Sequence, residues 1–289
     1  MGVRKRLFLV GCPRSGTTLL QSLIAAHPDV ASFPESHFFV QLYSTRRWMR
    51  GLGLASRRAR SNMESYFNGI GAKTHYDNHA PPLMLRAVTV CLTFVRTLDD
   101  LARRKGSTLW LEKTPRHLHH IADIESLVPE THVIHLLRRG EDTIASLYHA
   151  MNTYEQKWGG PVTLGECYRR WKHDIECSLE YVDEPGHTLV TYEQVVNRTE
   201  STLRQIADDA GFTYDPSMTE DYAEVSDEVI QSDEEWKEET GREIVRSRST
   251  KFQQLFDKDE QREIAERVQP LNEIIRNQKA VSPSKNETP

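Results

Sequence analysis

Apolar and polar positions along the 289-residue chain follow two different periods. Five short segments rich in apolar and β-branched residues predict strands, at 7–10, 30–33, 108–111, 132–137 and 188–192. Longer segments, in which apolar residues recur at helical spacing, lie between and after them. Strands that alternate with helices are typical of βαβ units. The pattern therefore predicts an α/β fold, with a central, mainly parallel sheet flanked by helices.

A long helical segment, residues 38–106, separates the second and third predicted strands. We interpret it as a lid insertion that borders an acceptor site. We expect a single domain over residues 1–280, in which Pro270 kinks or breaks the last helix. Residues 281–289 are polar and contain two prolines, which predicts a disordered tail.

Composition and charge exclude some broad classes of function. The chain has 38% hydrophobic residues, 27% charged residues and a net charge of −5. These values are ordinary for a globular protein and predict no general affinity for nucleic acids or membrane surfaces. Any binding site for an anion must then be local, built from a few positioned groups.

Targeting signals and metal motifs are not recognisable in the sequence. No apolar segment is long enough for a signal peptide or a membrane span, so we expect a cytoplasmic protein with no integral membrane segment. The four cysteines show neither C-x-x-C nor Cys/His ligand spacing, which predicts free thiols and no metal site. The sequence does not indicate an oligomeric state.

The segment GCPRSGTT, directly after the first strand, has the layout of a phosphate-binding loop, G-x-x-x-x-G-K-[ST]. Gly11 and Gly16 have the required spacing, and Thr18 stands at the hydroxyl position. Thr17 replaces the lysine, however, and the basic residue is Arg14, inside the loop. Backbone N–H groups and the start of the following helix favour a bound anion. The alternative is a plain strand–helix turn in which Thr17 caps the helix.

The end of the fourth predicted strand argues against an ordinary NTPase. A site for Mg²⁺ and a nucleotide usually has an aspartate at the end of a second strand. Here the strand is followed by Arg138 and Arg139, which favour a second phosphate rather than a divalent metal. A P-loop kinase or NTPase that uses Mg²⁺-ATP remains an alternative.

GCPRSGTTLL, with LLRRGEDTIASLYHA near residue 140, resembles the sulfotransferases that use 3′-phosphoadenosine 5′-phosphosulfate (PAPS). The resemblance implies a P-loop-like fold with PAPS as donor, adenosine 3′,5′-bisphosphate (PAP) as product and no required metal. It also implies that Arg138 and Ser146 bind the 3′-phosphate. The first loop would bind the 5′-phosphosulfate through Pro13, Arg14, Ser15, Gly16, Thr17 and Thr18. The motif is most similar to bacterial and glycan-type members, which carry arginine in this loop.

The same resemblance suggests catalytic residues. Glu35, in FPESHFF, matches the E-x-H-F-F segment in which the glutamate is the general base; the alternatives are pairing with Arg14 or capping a helix. Lys113, in EKTP, matches an active-site lysine that stabilises charge on the transferring group. His117 is a rival base, and His37 would orient either Glu35 or the acceptor. Arg14 stabilises charge too, but as an arginine it cannot shuttle a proton at neutral pH.

Two further assignments depend on less distinctive segments. Arg248 lies in GREIVRSRSTKF, where family members often close a basic loop over the 3′-phosphate; the alternative is a solvated basic face. Five aromatic residues of the lid would stack on a sugar or cover a lipid, or else form its own core: Tyr43, Trp48, Tyr66, Phe67 and Tyr76.

The acceptor and the activity itself leave alternatives. The glutamate-based pattern favours a hydroxyl of a carbohydrate, a glycolipid or a secondary metabolite as acceptor, and no nucleic-acid partner. A peptide tyrosine remains an alternative acceptor. An inactive module that binds the nucleotide without transferring the sulfuryl group is a further alternative to an enzyme.

Overall fold

The computed structural model describes residues 2–44, 46–158, 160–229 and 250–277. A sheet of five parallel strands forms the centre of the molecule, in the order β2-β3-β1-β4-β5. The predicted α/β class is confirmed, and all five predicted segments contain strands. Their bounds are β1 Lys5–Gly11, β2 Val30–Phe33, β3 Leu109–Lys113, β4 Thr131–Leu137 and β5 His187–Thr191.

Buried side chains alternate along the strands, so both faces of the sheet are covered. Leu7 and Leu9 pack on one face, and Phe8 and Val10 pack on the other. All four are fully buried, which explains why this strand reads as a continuous apolar run.

Helices cover the two faces and one end of the sheet. The first of them follow β1 and β2: α1 Thr17–Ala25, α2 Phe38–Leu42, α3 Arg47–Gly51, α4 Ala59–Gly69, α5 Lys73–His79 and α6 Ala87–Arg104. A 3₁₀ helix, Pro115–His120, follows β3. The next helices are α7 Ile121–Leu127, α8 Gly140–Thr153, α9 Glu155–Trp158, α10 Leu164–Leu179, α11 Tyr192–Asn197, α12 Thr199–Ala210, α13 Ser217–Glu220 and α14 Tyr222–Val229. Two further helices are Lys251–Leu255 and Lys258–Asn277.

The predicted break at Pro270 does not occur. The helix Lys258–Asn277 continues through this residue. Proline removes one backbone hydrogen bond, but Val268 and Ile275 on either side are buried in the core together with α8 and α10. This packing holds both halves of the helix in place.

The order of the strands fixes where a ligand binds. β1 lies between β3 and β4, so the connection from β1 to β2 runs toward one edge and the connection from β3 to β4 runs toward the other. Ligands of open α/β sheets bind beyond the carboxyl ends of the strands at such a switch point. Among the helices of the described ranges, none has the length and apolar character needed to cross a membrane.

Candidate active site

The loop between β1 and α1 requires glycine at both ends. Gly11 has φ +151° and Gly16 has φ +98°. A Cβ atom at Gly11 would lie 2.5 Å from the carbonyl oxygen of Leu136, and one at Gly16 would lie 2.5 Å from the Tyr192 ring. Arg14, inside the loop, is also left-handed, with φ 71°. Close packing against β4 and the start of α11 therefore imposes the glycine spacing seen in the sequence.

The start of α1 offers backbone donors to a ligand. Gly16 occupies the N-cap position, and no side chain caps the helix. Thr17 is thus the first helical residue rather than its cap, and both it and Thr18 are buried. Because the first N–H groups of a helix have no partners within the helix, this end favours an anion.

Two polar atoms beside the loop are buried without a hydrogen-bond partner among the described residues. They are Oγ of Ser15 and Nε of Arg138. Leaving such an atom unsatisfied costs about 1–3 kcal/mol, so both atoms are available to a ligand or to a water molecule. Both groups donate hydrogen bonds, which suits an anionic ligand.

Arg138 is fixed against the loop by several contacts. Its guanidinium group lies 4.0 Å from the centroid of the Tyr192 ring, and its Nη1 donates to the carbonyl oxygen of Arg14 at 3.4 Å. Nε1 of Trp171 donates to the carbonyl oxygen of Arg138 at 3.1 Å. Nε of Arg14 donates to Oγ of Ser146 at 3.2 Å. The structure thus brings Arg14 next to Arg138 and Ser146, which follow it by 124 and 132 positions in the chain.

The neighbouring arginine has a different environment. Nε of Arg139 donates to Glu193 at 3.2 Å, and its Nη2 donates to Asp142 at 2.9 Å. These ion pairs connect the start of α8 with α11. Of the two arginines after β4, Arg138 therefore lies against the loop, and Arg139 has a structural role.

Glu35 and Lys113 form an ion pair at the same edge of the sheet. Nζ of Lys113 lies 2.5 Å from Oε1 of Glu35. The register explains the contact, since Phe33 of β2 pairs with Glu112 of β3. The Lys113 side chain is almost fully buried, whereas the Glu35 side chain is 20% exposed. The Glu35 side chain is therefore partly accessible to solvent, and its carboxylate pairs with Lys113.

His37 lies on the outer side of this pair. Its Nε2 is 3.7 Å from Oε2 of Glu35. Burial lowers the pKa of His37, and this effect outweighs the opposite influence of Glu35 and Glu112. The imidazole is thus neutral at pH 7, consistent with a residue that orients Glu35.

His117 lies in the interior, which argues against its predicted role as a base. The side chain is fully buried, with Nδ1 2.9 Å from Oε2 of Glu112. Its Nε2 accepts a hydrogen bond from the backbone N–H of Phe39 at 3.2 Å. With both ring nitrogens directed at protein groups, His117 connects β3 to α2. The sequence could not indicate this, because three histidines share one 3₁₀ helix.

Glu112 organises the segment that carries Glu35. One carboxylate oxygen accepts hydrogen bonds from the backbone N–H and Oγ of Ser36 at 3.0 and 2.8 Å, and from Oγ1 of Thr114 at 2.6 Å. Burial by itself would raise the pKa of Glu112, but His117 and these hydrogen bonds outweigh it and lower the pKa. Glu112 is therefore ionised and holds the loop after β2 beside β3.

Some aromatic residues of the insertion form its core, and Tyr66 contacts the segment that carries Glu35. Phe67 and Tyr76 are buried and stack at 5.6 Å, so they belong to its core. Tyr66 donates from its hydroxyl to the carbonyl oxygen of Pro34 at 3.1 Å, directly before Glu35. A small depression beside it is lined by Ser36, Phe38, Gln41, Ala59, Asn62, Met63, Tyr66 and Phe94.

Arg248, which the family resemblance assigns to the 3′-phosphate, lies outside the described residues. Sequence reasoning missed Tyr192. Its ring stacks on the guanidinium group of Arg138 and packs against Gly16. The segment VTYEQVV indicates only a buried strand followed by the start of a helix. The position of Tyr192 directly after β5, at the ligand edge of the sheet, is the signal that points to it.

Sequence comparison identifies the family. Residues 6–216 match the sulfotransferase family. The protein-tyrosine sulfotransferase of Drosophila melanogaster is 28% identical over 205 residues, which are 69% of this chain and 36% of that protein. The chain therefore spans little more than a third of the length of this relative.

Solved structures share the fold. The sulfotransferase domain from the curacin biosynthetic pathway superposes with a TM-score of 0.60 at 17% identity, over 93% of this chain and 99% of that one. The mouse sulfotransferase SULT7A1 in complex with PAP gives a TM-score of 0.51 at 13% identity, over 96% and 89%. The matched region contains the loop, Arg138, Ser146, Glu35 and Lys113. This chain belongs to the sulfotransferase family.

Proposed function

We propose that this protein transfers a sulfuryl group from PAPS to an acceptor hydroxyl and releases PAP. One observation carries the proposal: the loop with its buried hydrogen-bond donors and the Glu35–Lys113 ion pair, in which the Glu35 side chain is partly exposed, lie at the same edge of the sheet. The loop is suited to bind a phosphosulfate, and the Glu35–Lys113 pair is suited to a proton transfer beside it.

The residues at the loop fit the donor. Ser15, Thr17 and Thr18 offer hydroxyl groups, and Arg14 a positive charge, to the 5′-phosphosulfate. We assign Arg138 and Ser146 to the 3′-phosphate, and the buried Nε of Arg138, which has no hydrogen-bond partner among the described residues, supports this role. Pro13 and Gly16 shape the loop around these groups. We assign no metal to this site, since its donors are cations, hydroxyls and backbone amides.

Glu35 and Lys113 have complementary roles in the reaction. The acceptor oxygen bonds to sulfur, its proton passes to the carboxylate of Glu35, and the bond from sulfur to the 5′-phosphate oxygen breaks, with its electron pair staying on that oxygen. Lys113 and Arg14 stabilise the negative charge that develops there. Lys113 also favours the ionised form of Glu35, which the base must have before it accepts a proton.

We favour a hydroxyl of a carbohydrate, a glycolipid or a secondary metabolite as the acceptor. The glutamate-based pattern of the sequence supports this choice, and the hydroxyl groups of Ser36 and Tyr66 lie in or against the segment that carries Glu35. A tyrosine hydroxyl is a second candidate, favoured by the similarity to the protein-tyrosine sulfotransferase of Drosophila melanogaster.

Calorimetric titration tests the donor assignment. PAP, 5′-AMP and ATP are each titrated with and without Mg²⁺. We expect tight binding of PAP that is independent of Mg²⁺, and much weaker binding of AMP. Tight binding of Mg²⁺-ATP alone would contradict the proposal and favour a kinase or NTPase. Tight PAP binding without turnover on any acceptor class would indicate an inactive binding module.

A further inference from the structure

We propose that His119, His173 and Cys177 form a zinc site between the 3₁₀ helix and α10. One nitrogen or sulfur atom from each residue lies within 4.8 Å of the others. Nδ1 of His119 is 3.8 Å from Sγ of Cys177, and the two imidazole rings stack at 5.0 Å with 9° between their planes. This site is separate from the proposed donor and acceptor sites and does not depend on the proposed function.

The distances suit a tetrahedral metal ion. Zinc binds nitrogen at about 2.0–2.1 Å and thiolate sulfur at about 2.3 Å, so two such ligands lie roughly 3.6 Å apart. The separation between Nδ1 of His119 and Sγ of Cys177 is close to this value. His173 and Cys177 are four positions apart in α10 and share one helix face. A mixed nitrogen and sulfur set favours zinc over magnesium or calcium.

A buried carboxylate supports the ligand role of His119. Its Nε2 lies 2.9 Å from Oδ1 of Asp174, whose side chain is only 4% exposed. A metal-bound histidine usually donates its second ring N–H to a carboxylate, which orients the ring and leaves the other nitrogen for the metal. Here Asp174 takes Nε2, and Nδ1 of His119 is the nitrogen directed at Cys177. With three protein ligands, the fourth position is left for water.

A metal ion at this position would connect two parts of the active-site region. The 3₁₀ helix with His119 directly follows Thr114 and the strand of Lys113. Helix α10 supplies the other two ligands, and its Trp171 donates a hydrogen bond to the carbonyl oxygen of Arg138 beside the loop. Zinc would thus cross-link α10 to the segment after β3. We expect it to raise the thermal stability of the full chain, by an amount that grows with the logarithm of the free zinc concentration above Kd.

Metal titration of the full chain tests the site. Cobalt(II) replaces zinc as a probe, because a cobalt–thiolate bond gives intense near-ultraviolet absorption that nitrogen and oxygen ligands do not. We expect one Co²⁺ per chain with this absorption, displaced by Zn²⁺. Cys177→Ser should abolish the absorption, and His173→Gln should weaken zinc binding at least tenfold. Asp174→Asn should weaken it about 10- to 100-fold.

Cys167→Ser is the matched control, because it makes the same change in the same helix at a buried position. It should keep both the absorption and the zinc affinity. Alkylation gives a second readout: Cys177 is the partly exposed cysteine, while the other three are buried, and zinc should protect it. The absence of thiolate absorption, or equal zinc affinity in the wild type and Cys177→Ser, would overturn the proposal.

A second inference stands on a different observation. Eight large hydrophobic residues of the described chain are exposed, and six of them lie in the insertion between β2 and β3. We infer that these six, the apolar patch, dock on an anionic lipid bilayer. The apolar patch consists of Trp48, Leu52, Leu83, Leu85, Val88 and Leu92.

The backbone brings members of the apolar patch together. The segment after α3 pairs in antiparallel fashion with the segment before α6, through the bridge between Leu54 and Arg86. The backbone N–H of Ala87 donates to the carbonyl oxygen of Gly53 at 2.9 Å, so the residue after Leu52 lies next to the residue before Val88. Trp48 lies one turn before Leu52, whose N–H donates to the Trp48 carbonyl oxygen at 3.2 Å. Leu92 lies one turn after Val88 in α6. These backbone contacts bring the segments that carry Trp48, Leu52, Val88 and Leu92 close together.

The excess of basic residues in the segment of the apolar patch favours an anionic partner. Residues 46–92 contain seven arginines and one lysine against two acidic residues, although the whole chain has a net charge of −5. Apolar side chains flanked by arginines are the combination that binds anionic membrane surfaces, and tryptophan is enriched at the membrane interface. A second copy of the chain is less suitable, because two basic surfaces would face each other.

Co-sedimentation with lipid vesicles tests this docking. The full chain should bind vesicles that contain 30 mol% phosphatidylserine in phosphatidylcholine, and pure phosphatidylcholine at least tenfold less, with affinity falling as salt rises. Changing Leu52, Leu85 and Val88 to serine should reduce binding at least tenfold. The matched control is Leu255→Ser with Ile274→Ser, the other two exposed hydrophobic residues, and it should bind like the wild type.

Other results would overturn this inference. Equal binding to neutral and anionic vesicles would exclude the electrostatic part. No vesicle binding, together with a concentration-dependent dimer that the triple variant loses, would identify a second copy as the occupant. Binding to a polyglutamate peptide but not to vesicles would identify an acidic protein segment instead.

Discussion

Nζ of Lys113 lies 2.5 Å from Oε1 of Glu35, although the two residues are 78 positions apart in the chain. The parallel pairing of β2 with β3 creates this contact, because it brings the ends of the two strands to the same level. The buried ammonium group thus holds the carboxylate at the edge of the sheet, beside the loop that we assign to the donor. This relationship makes the proton transfer testable.

Glu35→Gln should lower kcat about 10²- to 10⁴-fold, because the amide cannot accept the acceptor's proton. The affinity for PAP should stay near the wild-type value, since Glu35 is assigned to the acceptor side. Steady-state kinetics and calorimetry measure the two effects separately. Glu200→Gln, an exposed change in α12, is the control. Full turnover of Glu35→Gln would refute the assignment of the base.

Arg138→Ala and Ser146→Ala should each weaken PAP binding, whereas the affinity for 5′-AMP should change little. A hydrogen bond to a charged group contributes about 1.5–3 kcal/mol, which corresponds to roughly 10- to 150-fold for the arginine. Calorimetry with both nucleotides gives the ratio. Arg267→Ala, on an exposed helix face, serves as the control. Equal losses for PAP and AMP would mean that Arg138 does not recognise the 3′-phosphate.

Gly16→Ala should destabilise the fold by about 1–3 kcal/mol, because the residue has a left-handed φ and its Cβ would meet the Tyr192 ring. PAP binding should weaken too, as the loop moves away from Arg138. Urea unfolding measures the free energy. Gly69→Ala is the matched control: nothing lies within 4 Å of its Cβ, and we expect no loss of stability. If the two variants unfold alike, the packing at Gly16 is not as close as described.

Buried histidines in β4 should make stability depend on pH. Burial, with smaller effects from His187 and His132, lowers the pKa of His135 to about 3, from an ordinary value of 6.5. As pH falls below 6.5 the unfolded chain therefore binds a proton that the folded chain does not, and stability is lost down to about pH 3. One such site contributes a slope of at most about 1.4 kcal/mol per pH unit.

His135→Gln should make this slope shallower between pH 6.5 and 4, whatever its effect on stability at pH 7. Urea unfolding at several pH values measures it. The pKa of His132 is also lowered, to about 4, so part of the dependence should remain. Parallel slopes for the wild type and the variant would show that His135 is accessible to protons in the folded state.

Local signals made much of the site predictable. The glycine spacing of the loop, the two arginines after β4 and the position of Glu35 after β2 are all read from segments shorter than fifteen residues. Parallel strands then require these segments to share one edge, so their proximity follows from the predicted topology. The family resemblance rests on the same segments, and the match to residues 6–216 confirms it.

Side-chain partners were not predictable in the same way. Lys113 pairs with Glu35, His117 turns inward to Glu112, and Tyr192 supports Arg138. Each depends on which face of a short element a side chain occupies. One turn of 3₁₀ helix is too short for a hydrophobic period to reveal that face. Pro270 is similar, because packing on both sides of it overrides its local preference.

The sequence by itself determined the α/β class, the alternation of strands and helices along the chain and the residue types of the loop after β1, because these depend on residues close in the chain. The tertiary structure decided what depends on residues far apart. It brought His119 to His173 and Cys177, where the spacing of cysteines had predicted no metal site. It also left six large apolar side chains of the insertion exposed, in a segment rich in arginine. Composition averages over the whole molecule, whereas a binding site depends on the few groups that folding brings into contact.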